Sequence, residues 1–360
     1  MSGSDAERFA RSPQWRDGRF RNAVPVRDDL LHALRDLVTA SAERAPKRPL
    51  PIVTGEAQRF ATAPASGLRA TWFGHSSLLV EIDGVRLLVD PMWGERASPV
   101  SYVGPRRWYA PPLALDALPP IDAVLVSHDH YDHLDRSTIV AMAHWPARFV
   151  VPLGVGAHLA RWGVPRARIT ELDWWDHADV GGVEVVATPA RHASGRALHD
   201  RDRTLWAGFA LRGPRHRVFY SGDSGVMDDG FREIGARLGP FDLTMVQIGA
   251  YGDAWPDWHL GPEDAVRVHQ AVGGGVLLPV HWGLFTLAYH AWSEPIERAV
   301  AAAAEAGVTI ATPRPGESIE PTRLQATARW WTRGAAVAPG GSHAEVKRTG
   351  RKQPETTGHP

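Results

Sequence analysis

A chain of 360 residues with 44% hydrophobic content can bury one large core or two closely packed halves. Forty Lys and Arg balance 40 Asp and Glu, so no global field draws the chain to nucleic acid or anionic lipid. The absence of cysteine excludes disulfides and thiolate metal sites, leaving His, Asp and Glu as the side chains that could hold a metal.

The opening stretch, MSGSDAERFARSPQWRDGRF, is polar and charged and lacks the apolar run of a secretory signal. No apolar stretch approaches the roughly 18 residues of a membrane span, so a cytoplasmic location is expected. Residues 1–63 are rich in Arg and Pro, with one predicted helix in DDLLHALRDLVTASAE, and read as an arm laid over the main body. From Leu68 short β-rich runs follow, LRATWFG, SLLVEID, VRLLVD and IDAVLVSH, each bounded by Gly, Pro or Asp. Asp83-Gly84 signals a hairpin, and DRSTIVAMAHW reads as a helix capped by Asp135.

The second half repeats this grammar. GVEVVATPA, LWAGFALRG, HRVFYSGD, FDLTMVQIG and GGVLLPVHWG read as strands. PEDAVRVHQAV, with Pro262 in its first turn, and EPIERAVAAAAEAG read as helices. Two similar batches of strands and helices predict an α/β fold of two sheets covered by helices on their outer faces. The main body spans residues 64–322, and residues 323–360, poor in apolar side chains, are expected to form a largely disordered tail.

The strongest chemical signal is SHDHYDHLD, from Ser127 to Asp135. His128 and His130 are two apart, so an extended backbone points both the same way, while Asp132 and His133 fall in the turn before the helix. One short loop can therefore offer ligand pairs to two neighbouring points. So dense a His/Asp cluster has no packing rationale. His192, Asp223 and His281 each follow a predicted strand, and strand ends on one rim of a sheet are where α/β folds build sites. Taken singly, each reads as a hydrogen-bonded core residue. Together they read as ligands.

SHDHYDHLD resembles the His-x-His-x-Asp-His signature of the metallo-β-lactamase superfamily, and the later His, Asp and His keep that family's order. Within it, LLVDPMWGERASPVSYVGPRRW, FYSGDSG, LGPFDLTMVQIGAYG, HLGPEDAVRVH and PVHWG resemble the N-acylphosphatidylethanolamine-hydrolysing phospholipase D family. The resemblance implies an αββα sandwich of two mixed β-sheets flanked by helices. It also implies two metals: His128, His130 and His192 on one, Asp132, His133 and His281 on the other, with Asp223 bridging. Two Zn2+ suit five imidazoles and two carboxylates, and the ligand types admit Fe or Mn as well.

Asp132 and His259 are the expected catalytic residues. Asp90 is expected to hydrogen-bond a ligand imidazole, with a helix or turn cap as the alternative, and His75 to sit near the rim or serve structurally. Tyr251, Trp255 and Trp258 line an acyl channel on one reading and fill the core on the other. The activity implied is phosphodiester hydrolysis by a metal-bridging hydroxide on a phospholipid or other phosphodiester substrate, with peripheral membrane contact and no nucleic acid partner. The rival readings are a lactonase or esterase on a small soluble substrate, and an inactive metal-binding module.

Overall fold

The computed structural model describes residues 7–27, 29, 40–41, 43–55, 57–197, 199–324 and 329–332. Most of the helix expected over 28–43, and nearly all of the tail expected over 323–360, lie outside the described residues.

The first half runs through a hairpin of β1 (Trp15–Arg16) and β2 (Arg19–Phe20), then β3 (Leu68–Gly74), β4 (Ser77–Ile82), β5 (Val85–Val89) and β6 (Ala123–Leu125). Helix α1 (Arg136–Met142), β7 (Arg148–Pro152), α2 (Gly156–Arg161) and β8 (Ile169–Leu172) complete it. The second half begins with β9 (His177–Val180), β10 (Val183–Thr188), β11 (Gly208–Arg212) and β12 (Arg217–Tyr220). It continues through α3 (Asp228–Leu238), β13 (Phe241–Gln247), α4 (Pro262–Ala271), β14 (Gly274–Val280), α5 (Glu294–Glu305) and β15 (Thr309–Ile310). Strand β16 (Ser318–Ile319) returns to the first sheet.

Two seven-stranded sheets result, ordered β16-β3-β4-β5-β6-β7-β8 and β15-β14-β13-β12-β11-β10-β9. In both, an antiparallel portion meets a parallel one: the switch lies at β5 in the first sheet and at β12 in the second. The period-2 alternation of apolar residues decides how the layers stack. Leu78, Val80, Leu87 and Val89 face the second sheet's Val185, Phe209, Leu211 and Val218, while Leu79, Leu88, Val124 and Phe149 turn outward onto Ile139 and Met142 of α1. A strand slipped by one residue would exchange these two faces, so burial on both sides fixes the register. Asp135 caps α1 by accepting from the Ser137 and Thr138 amides.

The hairpin of β1 and β2 buries Phe9 and Phe20 with Leu153, Leu205 and Trp206 of the main body. On the far side, α4 packs on β13 and β14 and buries His269, whose Nδ1 lies 2.7 Å from Thr244 Oγ1. Burial pushes its pKa down to about 4, so the folded protein holds this imidazole neutral. Its contribution to stability is complete above the unfolded pKa near 6.5 and is lost as pH falls toward about 4. Thermal unfolding of His269→Phe should therefore depend less on pH between those values than that of the wild type.

Candidate metal centre

The loop after β6 carries His128, Asp129, His130, Asp132 and His133, and loops after β10, β12 and β14 carry His192, Asp223 and His281. His281 directly follows its strand. The other three strands stop earlier than expected, so His128, His192 and Asp223 stand three or four residues beyond them on irregular backbone. This is a correction to the strand-end reading. The extra residues let three separate loops bend over a common point. Gly222, at φ +56°, makes one such bend, and a Cβ there would lie 2.6 Å from the Ala207 carbonyl.

All seven residues converge. His130 Nδ1 lies 3.0 Å from His128 Nε2 and 3.2 Å from His192 Nε2. Asp132 Oδ2 lies 3.4 Å from His133 Nε2 and 3.3 Å from His281 Nε2. Between the groups, Asp223 Oδ2 is 2.9 Å from His281 Nε2, 3.2 Å from His133 Nε2, and 3.8 Å from the Nε2 atoms of both His128 and His192. Asp223 thus reaches both clusters.

The surrounding hydrogen bonds decide which nitrogen each ring presents. His133 Nδ1 donates to Asp90 at 2.7 Å, and His192 Nδ1 donates to the Trp258 carbonyl at 3.0 Å. Ser127 Oγ donates to Asp90 at 2.6 Å and so is free to accept from His128 Nδ1 at 3.0 Å. Three imidazoles are thereby left with an Nε2 lone pair aimed inward. Asp90 also accepts from the Ser127 amide and the Tyr220 hydroxyl. Its contacts are those of a partner to a cluster imidazole rather than a helix cap.

His75 Nε2 sits 2.9 Å from Asp132 Oδ2, and the backbones of His75 and His281 are joined by a 3.0 Å hydrogen bond across the two sheets. His75, Asp90 and His281 all have positive φ (51°, 40° and 62°), so the backbone is strained at each of these three positions. His259 Nε2 lies 3.4 Å from Asp223 Oδ2. Trp255 and Trp258 line the cleft above the cluster, together with Ala250 and Leu287. Tyr251 does not line it. Its ring stacks on His290, and its hydroxyl donates to Glu294.

Electrostatics show what the cluster lacks. Burial pushes His128 and His192 well below the ordinary imidazole value. Burial opposes charge on Asp223 and Asp132 too, yet the neighbouring imidazoles hold both well below the usual carboxylate range. Burial lowers His281, but Asp223 and Asp132 outweigh it and draw the ring up to about 9. A buried carboxylate, Asp223, and a partly buried one, Asp132, therefore demand positive charge where the nitrogens meet. Among the described residues, His133 Nε2, both His281 nitrogens, Asp223 Oδ1 and His259 Nδ1 are buried without a hydrogen-bond partner. Buried polar atoms are seldom left so, and divalent cations would satisfy lone pairs and charge together. The donor set fits metal.

Three partners were not evident from sequence: Ser127, Tyr220 and the Trp258 carbonyl. Ser127 lies inside the motif and could have been suspected. Tyr220 reads as an ordinary strand residue, and a backbone carbonyl leaves no mark in the sequence. Asp129, though inside the same motif, is not one of these partners: it accepts from the Gly195 amide at 2.7 Å.

Comparison with known proteins identifies the family. The beta-lactamase superfamily domain matches residues 85–282. The uncharacterized protein Rv0906 of Mycobacterium tuberculosis is 50% identical over 330 residues, covering 89% of this chain and 87% of that one. N-acyl-phosphatidylethanolamine-hydrolyzing phospholipase D 1 of Caenorhabditis elegans is 37% identical over 233 residues, covering 62% of this chain and 65% of its own. Among solved structures, an isothiocyanate hydrolase from Delia radicum gut bacteria shares the fold at a TM-score of 0.55 and 20% identity, covering 70% of this chain and 98% of that one.

Proposed function

This chain belongs to the metallo-β-lactamase superfamily as a metal-dependent hydrolase, and from that premise we propose that it is a phosphodiesterase of the N-acylphosphatidylethanolamine phospholipase D type. The observation carrying this reading is the cleft of about 320 Å³ lined by apolar Ala250, Trp255, Trp258 and Leu287 and by polar His130, Asp132, Asp223, His259 and His281. A phosphodiester of an amphiphile needs both: a dry wall for its hydrocarbon and a charged floor for its phosphoryl group.

His128, His130 and His192 would hold one ion, Asp132, His133 and His281 the other, with Asp223 shared between them. Two such ions supply Lewis acidity toward phosphoryl oxygens and make water nucleophilic near neutral pH. The chain's own residues do the rest. Asp90, Ser127 and the Trp258 carbonyl lock three imidazoles in one tautomer, so no ring must reorient during turnover. Asp132, ringed by His75, His133 and His281, is fixed as an anion at the edge of the cleft. His259, its pKa lowered by burial, is neutral at pH 7 and can pass a proton between the attacking water and the leaving alkoxide. Water adds to phosphorus, the phosphorus–oxygen bond to the N-acylethanolamine breaks, and phosphatidate is the second product.

A panel assay of the purified, metal-loaded protein tests this. Release of N-acylethanolamine from N-acylphosphatidylethanolamine vesicles is expected, with sedimentation of the protein on the same vesicles. Turnover of lactones or simple esters with every phosphodiester left intact would replace this reading with that of a lactonase or esterase.

A further inference from the structure

We infer that Asn22 is a positioning residue for His192 and that residues 22–27 form a strap setting the metal affinity of the His128/His130/His192 cluster. The inference rests on the metal reading above. It starts from a pair of hydrogen bonds bridging 170 residues of sequence. The Asn22 side-chain amide donates to the His192 carbonyl at 2.6 Å, and its oxygen accepts from the His192 amide at 3.1 Å. One side chain thus pairs with one peptide unit as a neighbouring strand would, just beyond β2, whose Phe20 amide donates to the Asp202 carbonyl of the His192 loop at 2.8 Å.

The same segment reaches the second handle on His192. That ring is oriented by the Trp258 carbonyl, and the preceding residue, Asp257, is gripped by Arg27. The Arg27 backbone amide (3.0 Å) and Nε (2.7 Å) both donate to Asp257 Oδ2, and its Nη2 donates to Oδ1 at 3.1 Å. Arg191, adjacent to His192, completes the knot by donating to the carbonyls of Pro25 (2.6 Å) and Val24 (3.3 Å) and pairing with Asp257 at 3.1 Å. Behind it, a Cβ on Gly225 would lie 1.8 Å from the Asp257 carbonyl, so the Asp257 loop is seated directly on the segment that carries Asp223. Backbone and ring of His192 are therefore both fixed from residues 22–27.

Magnitudes decide which contact matters most. The Arg27 side chain is 75% exposed, and an exposed ion pair contributes little. The Asn22 pair is partly buried and acts on the ligand's own peptide. An outer partner of a metal ligand typically changes metal affinity about 10–100-fold.

The test compares full-length wild type with Asn22→Ala and Asn22→Asp, the latter keeping the acceptor for the His192 amide but losing the donor to its carbonyl. Metal-free protein is titrated with Zn2+ against a chromophoric chelator, and amide hydrogen exchange is followed without metal. Asn22→Ala is expected to weaken one Zn2+ of the two about 10–100-fold and leave the other unchanged. Exchange over residues 190–195 should quicken about tenfold, with Asn22→Asp between it and wild type. Unchanged exchange over 190–195 in both variants would overturn the strap, as would equal weakening of both ions. Wild type that takes up no Zn2+ would instead count against the metal reading, while the exchange comparison still decides the strap.

Discussion

Replacing Asp223 with alanine is expected to lower kcat/KM for the hydrolysed diester by about 10³-fold or more, because several kcal/mol of charge stabilisation in the transition state depend on a fully charged, correctly held metal pair. Asp223 Oδ2 stands within 3.8 Å of His128, His192, His133, His281 and His259, so among the described residues it is the one carboxylate common to both clusters. Its removal takes a negative charge from a buried site and leaves five inward-facing imidazoles with only Asp132 to offset a cation. Metal content measured by mass spectrometry should fall together with activity. Retention of two tightly held ions and wild-type turnover would show that Asp223 is not shared between clusters.

Asp90→Ala should produce the largest loss of stability, about 3–5 kcal/mol, as expected when a buried charge network loses one member. Four donors converge on this fully buried carboxylate: the Ser127 amide, the Ser127 hydroxyl, His133 Nδ1 and the Tyr220 hydroxyl. None of the four has water to turn to. Asp90→Asn keeps the shape but points an amide at donors, so it should be nearly as damaging. The same change frees the His133 ring, and metal affinity should drop about 10–100-fold beyond the stability loss. Urea denaturation of metal-free protein separates the two effects. A midpoint within error of wild type would mean that the network does not support the fold.

Much of this was legible in the sequence, for physical reasons that differ by element. The strands of the central sandwich are long apolar runs bounded by Gly, Pro and Asp, and β3, β4, β5, β13 and β14 fall close to where those runs place them. Strands β8 and β9, with Thr170, Glu171 and Asp179 in short and partly exposed segments, offer too little apolar alternation to announce themselves. Helix α3 opens on Asp228, Asp229 and Gly230, a start that resembles a loop. The metal-binding residue types could be listed because density in SHDHYDHLD has no packing explanation. Their convergence was implied by the family resemblance and not by any local pattern, since it depends on loops that leave β10 and β12 several residues early. The grip of Asn22 on His192 joins segments 170 residues apart through a backbone peptide, and no local pattern encodes such a contact.

Anomalous diffraction from crystals grown with Zn2+, collected on both sides of the zinc absorption edge, tests the central claim most directly. Two peaks per chain are expected, one enclosed by His128, His130 and His192 and the other by Asp132, His133 and His281, with Asp223 facing both. A zinc-loaded crystal with no peak among these seven side chains would contradict the account.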